Sequence, residues 1–167
     1  MPTATANHLF SSSVSLSERT RNEVISILND RLADTLDLKL QTKHAHWNIK
    51  GIEFIQLHEL FDEIATHIED HTDLIAERIT ALGGTAKGTA RQVAAGSSLK
   101  EYDLDAVSSE EHLKALSARL ADVANKAREA IDSTDRLGDK GTADIFTEIS
   151  RAADKDLWFL EAHLQQR

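Results

Sequence analysis

Apolar residues recur along this chain at alternating steps of three and four, the spacing that aligns one face of an α-helix. The first run is Val24, Ile25, Leu28, Leu32 and Leu36. Ser15 and Glu18 precede it at capping-box spacing, so a helix is expected over roughly 17 to 48, stopped near Asn48 to Gly51. Leu57, Phe61, Ile64, Ile68, Ile75, Ile79 and Leu82 predict a second helix over about 53 to 82, ended by Gly83 and Gly84. Ser108 and Glu111 form another capping box, and Leu113, Leu116, Leu120, Val123, Ala127 and Ile131 follow it. The stretch LGDKGT from Leu137 breaks the chain again. Ile145, Ile149, Ala153, Leu157, Leu160 and Leu164 then carry a last helix. No strand-like alternation of useful length and no internal repeat occurs. The only proline is Pro2, so nothing after it forbids long helices.

The connections between these four helices run short, long, short. Short loops make antiparallel neighbours. The long middle connection, from Gly83 to Val107, can cross the bundle and let helices two and three run parallel. The expected fold is therefore all-α, a ferritin-like four-helix bundle with a long crossover over residues 16–167. A short extra helix fits within Ala86 to Ala95. Residues 1–15 read as a flexible tail.

Composition narrows the setting. The chain has 167 residues, enough for one domain with a sizeable core. There is no cysteine, which removes disulfides and thiolate metal sites from consideration. The first twenty residues show no basic stretch followed by a long apolar run, so neither a signal peptide nor a membrane span is expected. The cytoplasm is the default compartment. The net charge of −9 argues against a general polyanion binder and leaves metal cations open.

Candidate chemistry concentrates on the second helix. On a helical wheel its core stripe, Leu57 through Leu82, spans roughly 60° of arc. His58, Asp62, Asp73 and Glu77 fall on an arc about 100° wide, nearly opposite that stripe. His46, at the end of the first helix, comes close if the two helices form a hairpin. Such a polar stripe is also what the wet face of any amphipathic helix looks like. The spacing adds more. His58 and Asp62 are one turn apart, as are Asp73 and Glu77, so each pair can converge on one ion. Imidazole with carboxylate suits iron, manganese or zinc. However, Asp62 and Asp73 are separated by about 16 Å of helix rise, too far for one metal. The numbers 58 and 77, like 62 and 73, both total 135. Two copies of this helix laid antiparallel about a two-fold axis near residues 67 and 68 would set His58 opposite Glu77 and Asp62 opposite Asp73. Two identical sites would form between two chains, and a two-fold contact is the commonest homo-oligomeric arrangement. The remaining histidines, His8, His44, His67, His71, His112 and His163, read as surface or packing residues. No Glu-x-x-His pair for a single-chain di-iron bundle is present, and HELFD lacks the second histidine of the zinc-protease motif.

The stretches KHAHWNIKG, FIQLHELFDEI, HTDLIAERITALGGTAKGT and GTADIFTEISRAADKDLWFLEAH resemble the Dps family, the miniferritins named as DNA-binding proteins from starved cells. The resemblance covers about residues 20 to 165. It implies a hollow dodecameric shell with ferroxidase centres at two-fold interfaces, each taking two irons. By position, His46, His58 and Asp62 would come from one subunit and Asp73 and Glu77 from its mate. Trp47 matches the tryptophan beside that centre; on packing grounds it is equally an aromatic closing a helix end. The implied chemistry is oxidation of Fe(II) by hydrogen peroxide, or more slowly by dioxygen, with ferric mineral stored inside. Glu59 and Glu63 are candidates for mineral nucleation and equally plausible as solvated glutamates. Asp135, Asp139 and Asp144 match the region lining acidic iron-entry pores, although acids near a helix start also favour the helix dipole. DNA-binding members often carry a lysine-rich tail, whereas residues 1–18 here hold no lysine and no arginine, and the C-terminus offers only Arg167. Weak or absent DNA binding at neutral pH is expected, with a nucleoid location only if DNA is bound. The competing readings are a non-enzymatic DNA-condensing shell and a purely structural helical oligomer.

Overall fold

The computed structural model describes residues 9–165. Among them are five helices and no strand: α1 (Glu18–Asn48), α2 (Phe54–Ala81), α3 (Ala90–Gly96), α4 (Ser109–Arg136) and α5 (Lys140–Leu164). The four long ones are those the apolar spacing predicts. The short helix α3 lies in the crossover, in the segment expected to hold it and one residue beyond its end. The first cap needs correction: Ser17, not Ser15, is the N-cap of α1, and its hydroxyl accepts from the Thr20 N–H at 3.0 Å. The Ser108–Glu111 box forms as expected at the start of α4.

Cross-helix contacts fix the directions. Lys43 meets Asp62 and Arg21 meets Leu82, so α1 and α2 are antiparallel. Arg119 meets Gln41 and Lys126 meets Asp34, so α4 is also antiparallel to α1. Therefore α2 and α4 run parallel, as the long crossover allows. Arg78 with Thr142, and His67 with Asp156, set α5 antiparallel to α2 and hence to α4.

The core has two apolar clusters stacked along the bundle. One holds Leu38, Leu57, Phe61, Ile64, Ile68, Leu116, Leu120 and Leu160. The other holds Leu28, Leu32, Ile75, Ile79, Leu82, Phe146 and Ile149. Where one gives way to the other along the helices stand buried Thr35, Thr72 and Ser150. Each of their hydroxyls donates to a carbonyl a turn back on its own helix, at 2.7 to 2.9 Å. Burial of these groups therefore leaves no unpaired donor.

α2 ends in a Schellman turn. The Gly84 N–H donates to Ile79 O and the Gly83 N–H to Thr80 O, each at 2.9 Å. Gly83 adopts φ 88°, and a Cβ there would lie 2.4 Å from the Phe10 carbonyl. The close approach is real pairing, because the Phe10 N–H donates to Gly83 O at 2.8 Å. Of the expected tail, residues 1–8 lie outside the described residues, while Leu9 packs against the second cluster, as does Leu16 just after the tail.

The Glu111 carboxylate accepts from the Ser108 N–H and hydroxyl and from the Val107 N–H, which hold its pKa down to about 2. A carboxylate depressed in the folded state stabilises above its unfolded pKa, and that contribution is lost as pH falls through the folded one. The Glu111→Gln variant should therefore unfold at lower urea than wild type at pH 6, with the gap closing as pH approaches 2. A gap that stays constant across that range would show that the charge contributes nothing.

Candidate metal centre

His46 occupies the last turn of α1 and His58 the second turn of α2, and the hairpin brings their rings into a stack at 3.7 Å and 20°. Each is held by the other's backbone. His46 Nδ1 lies 2.7 Å from His58 O, and His58 Nδ1 lies 2.8 Å from His46 O. A carbonyl oxygen can only accept, so both Nδ1 atoms carry the proton and donate. In the neutral rings both Nε2 atoms are then left with lone pairs, the form in which imidazole binds a metal. His46 is buried and His58 half-buried, so the pair forms a fixed, partly desolvated edge.

Asp62 sits one turn beyond His58 on α2 and is exposed. Its Oδ1 takes the Lys43 ammonium at 2.5 Å, and this bond holds the carboxyl below the usual carboxylate range, with His46 and His58 adding smaller effects. Lys43 also stands 5.7 Å from the Trp47 ring centre. Trp47 does not close the end of α1. It is 67% exposed, and the end is closed by Ile49, which is 1% exposed and donates its N–H to Ala45 O.

Asp73 and Glu77 are exposed further along the same face of α2, and neither carboxylate is paired among the described residues. They do not join His46, His58 and Asp62 in one chain. Among the described residues no three His, Asp or Glu side chains of one chain gather closely enough to hold a metal. His46 and His58 are thus brought together, Asp62 lies one turn beyond His58 and is held by Lys43, and Asp73 and Glu77 stand apart on the surface. Glu59 and Glu63 are exposed, with Glu63 at 4.0 Å from His67 Nε2.

The acidic trio near α5 divides. Asp144 is exposed, and Asp135 is exposed and paired with Lys140 at 2.8 Å. Asp139 departs from the pore expectation. It is 3% exposed and caps α5, accepting from the Thr142 N–H and hydroxyl and from Arg78 at 2.8 Å. Gly138, at φ 85°, turns the chain so that the Asp139 N–H closes α4 on Thr134 O. Asp139 thus ends one helix and begins the next.

Two polar couples were not legible from spacing. His67 donates from Nδ1 to Asp156, 3.1 Å from both carboxylate oxygens, and burial pushes the Asp156 carboxyl up against the opposing pull of His67. The Tyr102 hydroxyl and His112 Nδ1 are 2.6 Å apart, and burial raises the tyrosine and lowers the histidine. His67 and Asp156 are 89 positions apart, and no local pattern links them. Lys43 was findable, since it precedes His46 by one turn.

A crossover bundle with this arrangement of helices falls in the ferritin-like class, and the ferritin-like domain family model matches residues 25–167. The DNA protection during starvation protein of Agrobacterium fabrum is 50% identical over 152 residues, covering 91% of this chain and 94% of that protein. DpsC from Streptomyces coelicolor superposes with a TM-score of 0.92 at 30% identity, covering 99% of this chain and 97% of the other. A DPS protein from Vibrio cholerae O1, described as a member of a broad superfamily of ferritin-like diiron-carboxylate proteins, superposes at 0.88 with 26% identity, covering 96% and 100%. The chain belongs to the Dps family of ferritin-like proteins.

Removing the Asp139 carboxylate leaves the Arg78 guanidinium and the first turn of α5 without their acceptor. Asp139→Ala should destabilise the fold by about 3 kcal/mol, read as a fall in thermal midpoint. Unchanged stability would return Asp139 to the list of pore candidates.

Proposed function

We propose that the protein binds and oxidises Fe(II) at centres shared between two chains and stores the ferric product in a hollow dodecameric shell. The observation that carries this reading is the reciprocal His46–His58 clamp. It presents two Nε2 lone pairs, with the Asp62 carboxylate one turn further along α2, and among the described residues the chain gathers no complete ligand set of its own. Asp73 and Glu77 of a two-fold mate complete the set, because their spacing on α2 mirrors that of His58 and Asp62. Imidazole and carboxylate donors suit Fe(II), the substrate, and open positions remain for the oxidant. Lys43 has to release Asp62 when a cation arrives, and the Trp47 ring offers its ammonium a second seat.

Two irons side by side give one electron each. One hydrogen peroxide takes both, with two protons, and leaves as two waters, so no hydroxyl radical is released. Dioxygen serves as a slower oxidant. Trp47, exposed beside His46, accepts oxidising equivalents that escape this route. Exposed Asp144, with Asp135, draws Fe(II) toward an entry pore, and Glu59 and Glu63 seed mineral inside. The outcome is protection against oxidative damage in the cytoplasm.

The shared site has a decisive test. Asp62→Ala damages one half of every centre and Glu77→Ala the other half. In a mixed two-fold pair, one centre collects both lesions and the other none. Unfolding the two variants together and refolding them should restore part of the peroxide-driven and dioxygen-driven oxidation that each lacks alone, with peroxide the faster. No recovery in shells proven to contain both variants would refute the shared centre.

DNA condensation is the weaker reading. Phosphate contacts need Lys or Arg, and the first 18 residues supply only Arg-free and Lys-free sequence up to Glu18. Residues 1–8, His8 included, and Arg167 lie outside the described residues. Assembled protein should leave duplex DNA unshifted at neutral pH and physiological salt. A salt-sensitive shift under those conditions would overturn this, whereas a shift confined to acid pH, where His8 and its like gain charge, would not.

A further inference from the structure

The two imidazoles belong to a cluster of three rings. Phe54, the first residue of α2 and one turn before His58, packs on the His58 ring at 5.1 Å between centres and 30° between planes. His58 in turn stacks on His46. Phe54 serves no part of the bundle core, and it is 42% exposed in the single chain. Nor does it cap the helix, whose N-cap residue is Glu53. Among the described residues, the ring contact of Phe54 is with the His58 imidazole.

That contact does something the hydrogen bonds cannot. The bond from His58 Nδ1 to His46 O pins one atom of the ring. A planar ring held at one atom can still pivot, and its Nε2 would sweep an arc. The stack with His46 and the tilted contact with Phe54 restrict that freedom, because turning the ring separates surfaces that attract at van der Waals distance. A metal-bound imidazole is also poorer in electrons, which strengthens its attraction to an aromatic neighbour. In the antiparallel two-fold arrangement, position 54 falls opposite position 81. Ala81 is small and exposed, so a phenyl ring has room to lie over it.

We propose that Phe54 is a positioning residue of the metal centre: its ring sets the plane of His58, aims Nε2 at the metal, and seals that end of the site from water. This inference rests on the proposed shared centre.

Co(II) serves as the probe, since its visible spectrum reports ligand geometry without any turnover. Four proteins are compared as assembled shells: wild type, Phe54→Leu, Phe54→Tyr and His58→Ala. Phe54→Leu keeps apolar bulk at the seam but loses the flat face. It should assemble, bind Co(II) about tenfold more weakly, and show an altered spectrum. Phe54→Tyr should restore both affinity and spectrum. With Fe(II), Phe54→Leu should raise KM more than it lowers kcat. Wild-type Co(II) affinity and spectrum in Phe54→Leu would overturn the proposal, as would loss of assembly in Phe54→Leu and Phe54→Tyr alike. The His58→Ala shell separates the two readings. If it binds Co(II) as wild type does, the centre itself is misplaced. If it loses Co(II) while Phe54→Leu keeps it, only the role of Phe54 fails.

Discussion

A straight helix cannot fold its own outer face onto itself. Asp62 and Asp73 both point away from the bundle on α2, and about 16 Å of helix rise keeps them apart. The fold makes that separation permanent. Leu57, Phe61, Ile64, Ile68, Ile75 and Ile79 are at most 3% exposed, so the inner face of α2 is locked into the core along its whole length. The same burial that stabilises the helix forbids the bend a single-chain metal site would need. Any centre using both ends of this face must come from two copies, and the mirrored spacing of the two ligand pairs makes an antiparallel contact sufficient.

The hairpin supplies what the face lacks in rigidity. Side chains on an exposed helix face usually sample several rotamers, and fixing them on binding costs conformational entropy. His46 and His58 avoid most of that cost, because each ring is hydrogen-bonded to the other's backbone before any cation arrives. The clamp depends on the register of α1 against α2. That register is set far away as well, where Arg21 donates to Leu82 O at the other end of the hairpin. Packing and site geometry are therefore one problem, and a slip of α1 along α2 would separate the imidazoles.

The helices were legible because their signals are local. Steps of three and four mark the buried stripe, and the Ser108–Glu111 box and the Gly83–Gly84 stop act within a few residues of themselves. The Ser15 cap failed for a local reason too: Ser17 sits next to Glu18 and reaches the Thr20 N–H, and two serines of equal propensity cannot be ranked without the turn they join. Asp139 was misjudged because an acid before a helix reads alike whether it faces a channel or caps the turn. Only the position of Arg78, on a different helix, decides between them. The His46–His58 edge was readable as a hairpin consequence. Its tautomers were not, since they depend on two carbonyls whose positions exist only in the folded chain. The Asp156 partner of His67 lies beyond any sequence pattern.

The charge on the chain points the same way as the site. An acidic protein repels nucleic acid phosphate and attracts divalent cations, and both effects act at a distance that salt limits to about 8 Å in physiological buffer. At such range the acids that matter are those near where iron must pass or bind. Asp62 is neutralised in the single chain by Lys43, and Asp135 by Lys140. Asp73, Glu77 and Asp144 are not paired among the described residues. Unpaired exposed carboxylates close to one another are unfavourable unless a cation or another chain meets them. In the proposed assembly Asp73 and Glu77 face the His46–His58 edge of the mate, where a metal ion would neutralise them. The free acids on α2 and the oriented lone pairs of the hairpin then answer one requirement, a cation held between two chains.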